Sequence, residues 1–335
     1  MNLQHHNRIG ILGIGEALPS HQMPNSDFLS RGLDTSEEWI ESRSGIQNRH
    51  IIDSNQTTSI LATESAKHAI AASGIDQDMI DFIIVATATP DHYGFPSTAC
   101  LVQKHLNLSR KIPCFDLTAA CSGFAYGVST GYSKIASGLG KYGLIIGAES
   151  LSSIVDWSDR SSCILFGDGA GAAIIGPVET GGLIAINEGS DGHFSHILST
   201  QLRENSELHN QQKPPYPRPI IEMDGRAVFK KGIQFVEQTI TALFESSDLS
   251  ISDVDFFAAH QANIRILESI SENFSIPFEK FLVNIDEVGN TSAASIPLVL
   301  SRNINNQTIS KNDIICLIGF GAGFTWSSIL LEWSY

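Results

Sequence analysis

Three side chains of this sequence have the type and setting for covalent and proton chemistry: Cys121, His260 and Asn290. Cys121 lies in IPCFDLTAACSGFAYGVSTGYSKIASG, where an apolar run passes through a short turn into a helix rich in small residues. A thiol at a strand-to-helix turn sits in the positive field of the helix N-terminus, which favours the thiolate, the nucleophilic form. The small neighbours Ala119, Ala120, Ser122 and Gly123 let backbone approach a bound acyl group. The same position also suits a small buried hydrophobe, the commonest setting of a free cysteine. His260 follows FFAA and opens HQANIRI. The C-terminal end of a strand is where α/β proteins usually build sites. Asn290, in EVGNTSAASIPLVL, offers an uncharged amide donor beside Gly289, which permits an unusual turn. It equally suits the cap of a helix beginning near Ser292.

Two glycine-rich stretches accompany them. GFGAGFTW (319–326) can turn a backbone N–H toward a developing oxyanion, and it lacks the Lys-[Ser/Thr] of a phosphate loop. FGDGAGAAII (166–175) carries its glycines before a strand rather than before a helix, the wrong order for a dinucleotide fingerprint, and reads as mainly structural.

The elements that must position these residues are short apolar runs: Ile9–Ile14, Phe82–Ala86, Cys114–Leu117, Gly143–Gly147, Gly171–Ile175, Phe256–Ala259, Phe281–Asn284 and Ile314–Gly319. Most are continuous rather than alternating, as in a sheet covered on both faces. Helical spacing is clearest over Thr58–Ser73 and Gly225–Ser246. Strand–helix alternation predicts an α/β fold. SGIDQDMIDF at 73–82 is echoed by SDLSISDVDF at 247–256, each ending a helix and opening a strand. The echo points to two similar halves, 1–175 with Cys121 and 176–335 with His260 and Asn290, and to a site at their seam. Arg203–Pro219 is polar, Pro-rich and without periodicity, and reads either as a lid or as a solvated insertion.

Composition sets the outer bounds. With 335 residues, 42% hydrophobic and 17% charged, the chain can bury a large core. Its net charge of −15 (21 Lys+Arg against 36 Asp+Glu) disfavours nucleic acid and anionic membrane as partners. The five cysteines show neither CxxC nor zinc spacing, which suggests a reducing compartment and no metal site. There is no signal-peptide pattern and no spanning apolar run, so the expectation is a cytoplasmic protein.

Taken in order, GIGEALP, DTSEEWIESRSGIQNRH, FPSTAC, DLTAACSGF, FGDGAGAA, HQANIRI, GNTSAAS and GFGAGFTW resemble the β-ketoacyl-acyl-carrier-protein synthase III family of the thiolase superfamily nearly end to end. The resemblance implies a thiolase-like fold of two βαβαβαββ-type halves in a five-layer αβαβα arrangement, usually a homodimer. It implies Cys121 as nucleophile, His260 and Asn290 as its partners, and the backbone N–H groups of Cys121 and Ala322 as oxyanion donors. The reaction it implies takes an acyl group from acyl-CoA, most often acetyl-CoA, onto Cys121 and condenses it with decarboxylating malonyl-acyl-carrier-protein, which initiates fatty-acid synthesis without a cofactor. A specialised-pathway acyltransferase with another acceptor is the alternative. Thr35, Trp39, Arg43, Arg160, Phe229 and Asn263 match CoA-binding positions, and Phe95 matches a residue that reaches into the partner's acyl pocket. Lys230 and Arg265 match a basic carrier-docking patch, while Glu272 and Asn273 stand farther along where relatives can carry lysines.

Overall fold

Apolar runs with no polar face to leave in water need cover on both sides, and the chain supplies it with helices. The computed structural model describes residues 8–203 and 218–335. In chain order its elements are β1 (Ile9–Ala17), β2 (His21–Pro24), α1 (Ser26–Ser30), α2 (Glu37–Ser44), β3 (Asn48–Ile51), α3 (Thr58–Ser73), β4 (Phe82–Ala86), α4 (Thr98–His105), β5 (Cys114–Leu117), α5 (Gly123–Ala136), β6 (Gly143–Ser150) and β7 (Asp168–Pro177). Then follow β8 (Gly182–Ser190), β9 (Leu198–Arg203), β10 (Arg218–Met223), α6 (Gly225–Glu245), β11 (Phe256–Ala259), α7 (Ile264–Phe274), α8 (Ile285–Val288), α9 (Ser295–Asn305), β12 (Ile314–Gly321) and β13 (Thr325–Glu332). The stretch expected as a lid lies, but for its ends, outside the described residues.

The two main sheets repeat one topology. The first runs β1-β7-β6-β4-β5 and the second β8-β13-β12-β11. In each, the two pairs starting from β1 or β8 are antiparallel. The pair β4–β5 is parallel, and so is the bridge from Phe257 on β11 to Phe281. That bridge is all that remains of the strand expected over Phe281–Asn284. A 3-10 turn at Phe278–Lys280 precedes it and α8 follows at Ile285. The sequence echo survives as geometry: α3 and α6 each end, pass through a 3-10 turn (Gln77–Met79, Ile251–Asp253), and enter β4 and β11.

The layers follow from which side chains point where. Ile83, Val85, Leu144 and Ile146 pack outward with Leu61 and Ala66 of α3 and Ala99 and Val102 of α4. Their alternates Ile84 and Ile145 pack inward with Phe124 and Val128 of α5 and Val299 and Leu300 of α9. Leu317 and Ile329 of the second sheet close on the same middle layer, while Cys316 and Ile318 of β12 face Phe235 of α6 and Leu267 of α7. This is the αβαβα stack, with α5 and α9 enclosed between the sheets. Among the described residues no helix is long and apolar enough to cross a membrane.

Candidate active site

After β5 the chain turns sharply before α5 can start. Ala120 takes φ +46°, a conformation L-residues adopt at a cost, and Cys121 sits in the 3-10 turn Ala120–Ser122. The hydroxyls of Ser122 and Thr325 are 2.8 Å apart, and they lie 2.7 and 3.0 Å from the Ala119 carbonyl. Strand β12 of the other half runs directly behind this turn. A Cβ on Gly321 would meet the Cys121 nitrogen at 2.6 Å, and one on Gly319 would meet the Ser122 Cα at 2.9 Å. These glycines are therefore required for the two halves to close on the cysteine.

His260 leaves the end of β11 with its N–H donating to the Ile318 carbonyl at 2.7 Å. Its Nδ1 is 3.1 Å from the Ser295 hydroxyl, and its ring meets Phe320 edge-on. Asn290 is held at its backbone, donating to the Leu165 carbonyl (2.8 Å) and accepting from the Gly167 N–H (3.0 Å). Gly289 before it has φ +67°. The Asn290 Oδ1 accepts from the Ser292 N–H at 2.9 Å, so the side chain does brace the turn, and the amide nitrogen is left for a ligand. Cys121, His260 and Asn290 all line one cavity of about 780 Å³. Cys121 and Ala322 also line a second, largely apolar cavity of about 380 Å³ on the far side. The two cavities share Cys121, Phe166 and Leu198 as lining residues, so the cysteine stands between them.

Burial sets the protonation of the site. It lowers the His260 pKa to about 3, so the imidazole is neutral throughout the physiological range. It pushes the Cys121 thiol up to about 12. Desolvation by burial is the largest cause, and it acts against the thiolate that the helix N-terminus favours. A buried neutral histidine also bears on stability. The folded pKa lies below the unfolded value near 6.5, so the unfolded chain binds the extra proton. His260's neutral form stabilises fully above that value, and stability falls as the pH drops from about 6.5 toward 3. Urea titrations should show the wild type losing up to about 1.4 kcal/mol per pH unit more than His260→Gln across that window. Parallel slopes would contradict a buried neutral imidazole.

The other expected residues divide. Trp39, Arg43, Phe229, Asn263 and Arg265 line the larger cavity. The guanidinium of Arg160 lies 5.0 Å, and that of Arg43 6.0 Å, from the Trp39 ring centroid, so a ring with two cations around it flanks the mouth. Arg160 also donates to the Asp34 carbonyl and pairs with its carboxylate at 3.4 Å. Asn263 does structural work as well: it donates to the Arg43 carbonyl and caps α7 by accepting from the Arg265 N–H. Thr35 and Lys230 are not among the described lining residues, and Asn273 bonds Glu237 at 2.6 Å. Phe95 lines neither cavity and is 91% exposed.

Sequence reasoning missed a polar group behind the sulfur. Glu149, the last but one residue of β6, is fully buried and accepts from the Ser292 hydroxyl (3.0 Å), the Thr89 hydroxyl (2.6 Å) and the Ala88 N–H (3.1 Å). A lone carboxylate at the end of the apolar run GLIIGAES was the available signal. In the glycine-rich FGDGAGAA stretch buried Asp168 accepts from the Ile52 and Ser152 N–H groups, a structural role, while Phe166 lines both cavities.

Comparison with known proteins agrees with this geometry. Residues 115–192 match the family model for 3-oxoacyl-[acyl-carrier-protein (ACP)] synthase III, and residues 244–333 match its C-terminal model. The β-ketoacyl-[acyl-carrier-protein] synthase III of Natranaerobius thermophilus is 42% identical over 96% of this chain and 98% of its own length. That of Clostridium tetani is 41% identical over 97% and 98%. The crystal structure of 3-oxoacyl-[acyl-carrier-protein] synthase III from Aquifex aeolicus superposes with a TM-score of 0.88, covering 97% of this chain and 100% of that one at 38% identity. With a thiol, a neutral imidazole and an amide on one cavity and relatives of this identity along its whole length, the chain belongs to the 3-oxoacyl-acyl-carrier-protein synthase III family, condensing acyltransferases of thiolase-like fold.

Proposed function

We propose that the chain joins an acyl group, acetyl in the first instance, from acyl-CoA to malonyl-acyl-carrier-protein, with Cys121 carrying the acyl group between the two stages. The observation that carries this is the convergence of Cys121, His260 and Asn290 on one cavity, with the chamber beyond the sulfur available to an acyl chain. The CoA adenine stacks at the mouth among Trp39, Arg43 and Arg160, and pantetheine runs inward past Phe229 and Asn263 to the sulfur. The Cys121 thiol attacks the thioester, and the tetrahedral oxyanion is met by the backbone N–H groups of Cys121 and Ala322.

After CoA leaves, the malonyl thioester occupies the same tunnel. Its carbonyl oxygen takes hydrogen bonds from His260 and Asn290 as CO2 departs and enolate charge develops. A neutral imidazole suits that role, since it donates without exchanging its proton at neutral pH. Ser295, 3.1 Å from Nδ1, can donate to the bare ring nitrogen and so keep the proton on Nε2. The carbanion then attacks the acyl-Cys and expels the thiolate.

Phe95 and Tyr93, 91% and 64% exposed in the segment before α4, whose first N–H groups bond Asp116 of the edge strand β5, support a homodimer in which Phe95 enters the partner's acyl chamber. All five cysteines are free, which supports a reducing compartment such as the cytoplasm. Arg265 at the cavity mouth and exposed Lys230 are the cations nearest the docking path of an acidic carrier. The specialised-pathway alternative has no observation in its favour.

The test is acceptor preference. Enzyme acetylated from acetyl-CoA should give the 3-oxoacyl product with malonyl-acyl-carrier-protein, and charge reversal of exposed Lys230, which lines neither cavity (Lys230→Glu), should raise KM for the carrier form about tenfold while leaving malonyl-CoA turnover nearly unchanged. Turnover confined to malonyl-CoA or to a non-malonyl acceptor would refute the carrier assignment.

A further inference from the structure

Arg49 lines neither cavity, yet its side chain is fully buried. Burial brings its pKa down to about 10, so it stays charged at neutral pH. Among the described residues it forms no ion pair. The guanidinium instead donates to three neutral oxygens on separate segments: the Met23 carbonyl of β2 (3.0 Å), Oδ1 of Asn25 just beyond it (2.9 Å) and the Ile164 carbonyl ahead of β7 (2.7 Å). The centroid of the Phe28 ring lies 4.8 Å from it. A buried cation without an anion is costly, and an apolar side chain would fill the space at less cost, so packing alone does not account for it.

Its place beside Asn290 does. Ile164 immediately precedes Leu165, whose carbonyl accepts the Asn290 N–H at 2.8 Å, and the Gly167 N–H donates to the Asn290 carbonyl at 3.0 Å. The stem of the same arginine underlies both sides of this clamp. A Cβ on Gly167 would meet the Arg49 Cβ at 3.0 Å, and one on Gly289 would meet it at 3.2 Å. Just ahead of β3, the Gln47 N–H donates to the Asp286 carbonyl of α8 (3.0 Å), the helix that leads into Gly289.

We propose that Arg49 is a positioning residue for the condensation: its guanidinium anchors Ile164 and its stem underlies Gly167 and Gly289, so that the backbone clamp on Asn290 holds the amide where the enolate oxygen forms. This rests on the reading of Asn290 as a donor to the malonyl thioester. The planar fork is required because its acceptors sit on three segments, and a flexible ammonium does not hold all three in one geometry. Cys121 is held by other elements, the turn Ala120–Ser122 and the glycines of β12, so the effect falls on the second stage.

The test separates the two stages on the full chain. Arg49→Lys should lower kcat for CO2 release from malonyl-CoA about 10²-fold, the scale of a group misplaced by about 1 Å, while acetylation of Cys121 by saturating acetyl-CoA stays near the wild-type rate. A loosened cavity wall at 164–166 would instead raise KM for both thioesters and leave kcat alone. The same substitution made in Asn290→Ala should change CO2 release by no more than about twofold, because the residue it positions is gone. Asn25→Ala keeps the guanidinium and removes one of its acceptors. It should show the same second-stage loss at about tenfold, the effect of one hydrogen bond to a charged group, and it carries the test if Arg49→Lys does not fold. An unaltered second stage, equal losses in both stages, or full additivity of Arg49→Lys with Asn290→Ala overturns the assignment and leaves Arg49 a residue of the fold only. A wild type that releases no CO2 from malonyl-CoA or malonyl-acyl-carrier-protein overturns the reading of Asn290 and this assignment with it.

Discussion

Cys121→Ala is expected to abolish acyl-enzyme formation and to reduce condensation by on the order of 10⁴-fold or more, the scale on which enzymes lose activity with their nucleophile. The fold should survive, because the change removes one atom from a site that already adjoins two cavities. The informative part is what persists. His260 and Asn290 do not depend on the sulfur for their positions: Ser295 and the Ile318 carbonyl hold the first, and the Leu165 and Gly167 backbone holds the second. Malonyl thioester should therefore still lose CO2 and accumulate as acetyl thioester, with no carbon–carbon bond made. Intact mass of the protein and CO2 release measure the two halves separately. Condensation surviving in this variant, or an acyl group found on Cys100, Cys114, Cys163 or Cys316, would move the chemistry elsewhere.

The complementary lesion is Asn290→Asp. The carboxylate can still accept from the Ser292 N–H, so the turn keeps its brace. What changes is the group facing the substrate: an amide donor becomes a negative charge where enolate charge must develop. Decarboxylation and condensation should fall by about 10² to 10³-fold, the loss seen when one oxyanion donor is removed. Cys121 should still be acetylated from acetyl-CoA, because the oxyanion of that stage is met by backbone N–H groups. Rapid-quench assays of the two stages check this. Equal loss in both stages would show that Asn290 acts by holding the cysteine loop rather than by binding the enolate.

Much of this was legible in the chain. Phe82–Ala86 and Phe256–Ala259 form strands with the expected limits, because a run covered by the core ends at the first polar residue or turn, and the half-buried edge strand Cys114–Leu117 keeps its expected limits too. Helix α3 also keeps its expected limits, ending at a left-handed Gly74. The strands that went unread, β8 and β13 among them, put their apolar runs beside polar residues of the same strand, Asn187 and Glu188 in the first and Ser327 and Ser328 in the second, so apolar continuity marks only part of each. Phe281–Asn284 failed in the other direction: its composition suits a strand, but it makes a single bridge to Phe257 between a 3-10 turn and α8.

The residue types at 121, 260 and 290, and the glycines that let backbone pass behind them, are written locally, since each depends on a turn its own neighbours specify. Their joint use is not local. The close approach of Gly321 to Cys121, the clamp of two arginines on Trp39, and the bond from Ser292 to Glu149 each join segments far apart in the chain. Protonation is decided at the same level. A thiol at a helix N-terminus reads as acidic, and an isolated carboxyl reads as ionised; only the stacking of two sheets around a shared helical layer removes the water that would make both so.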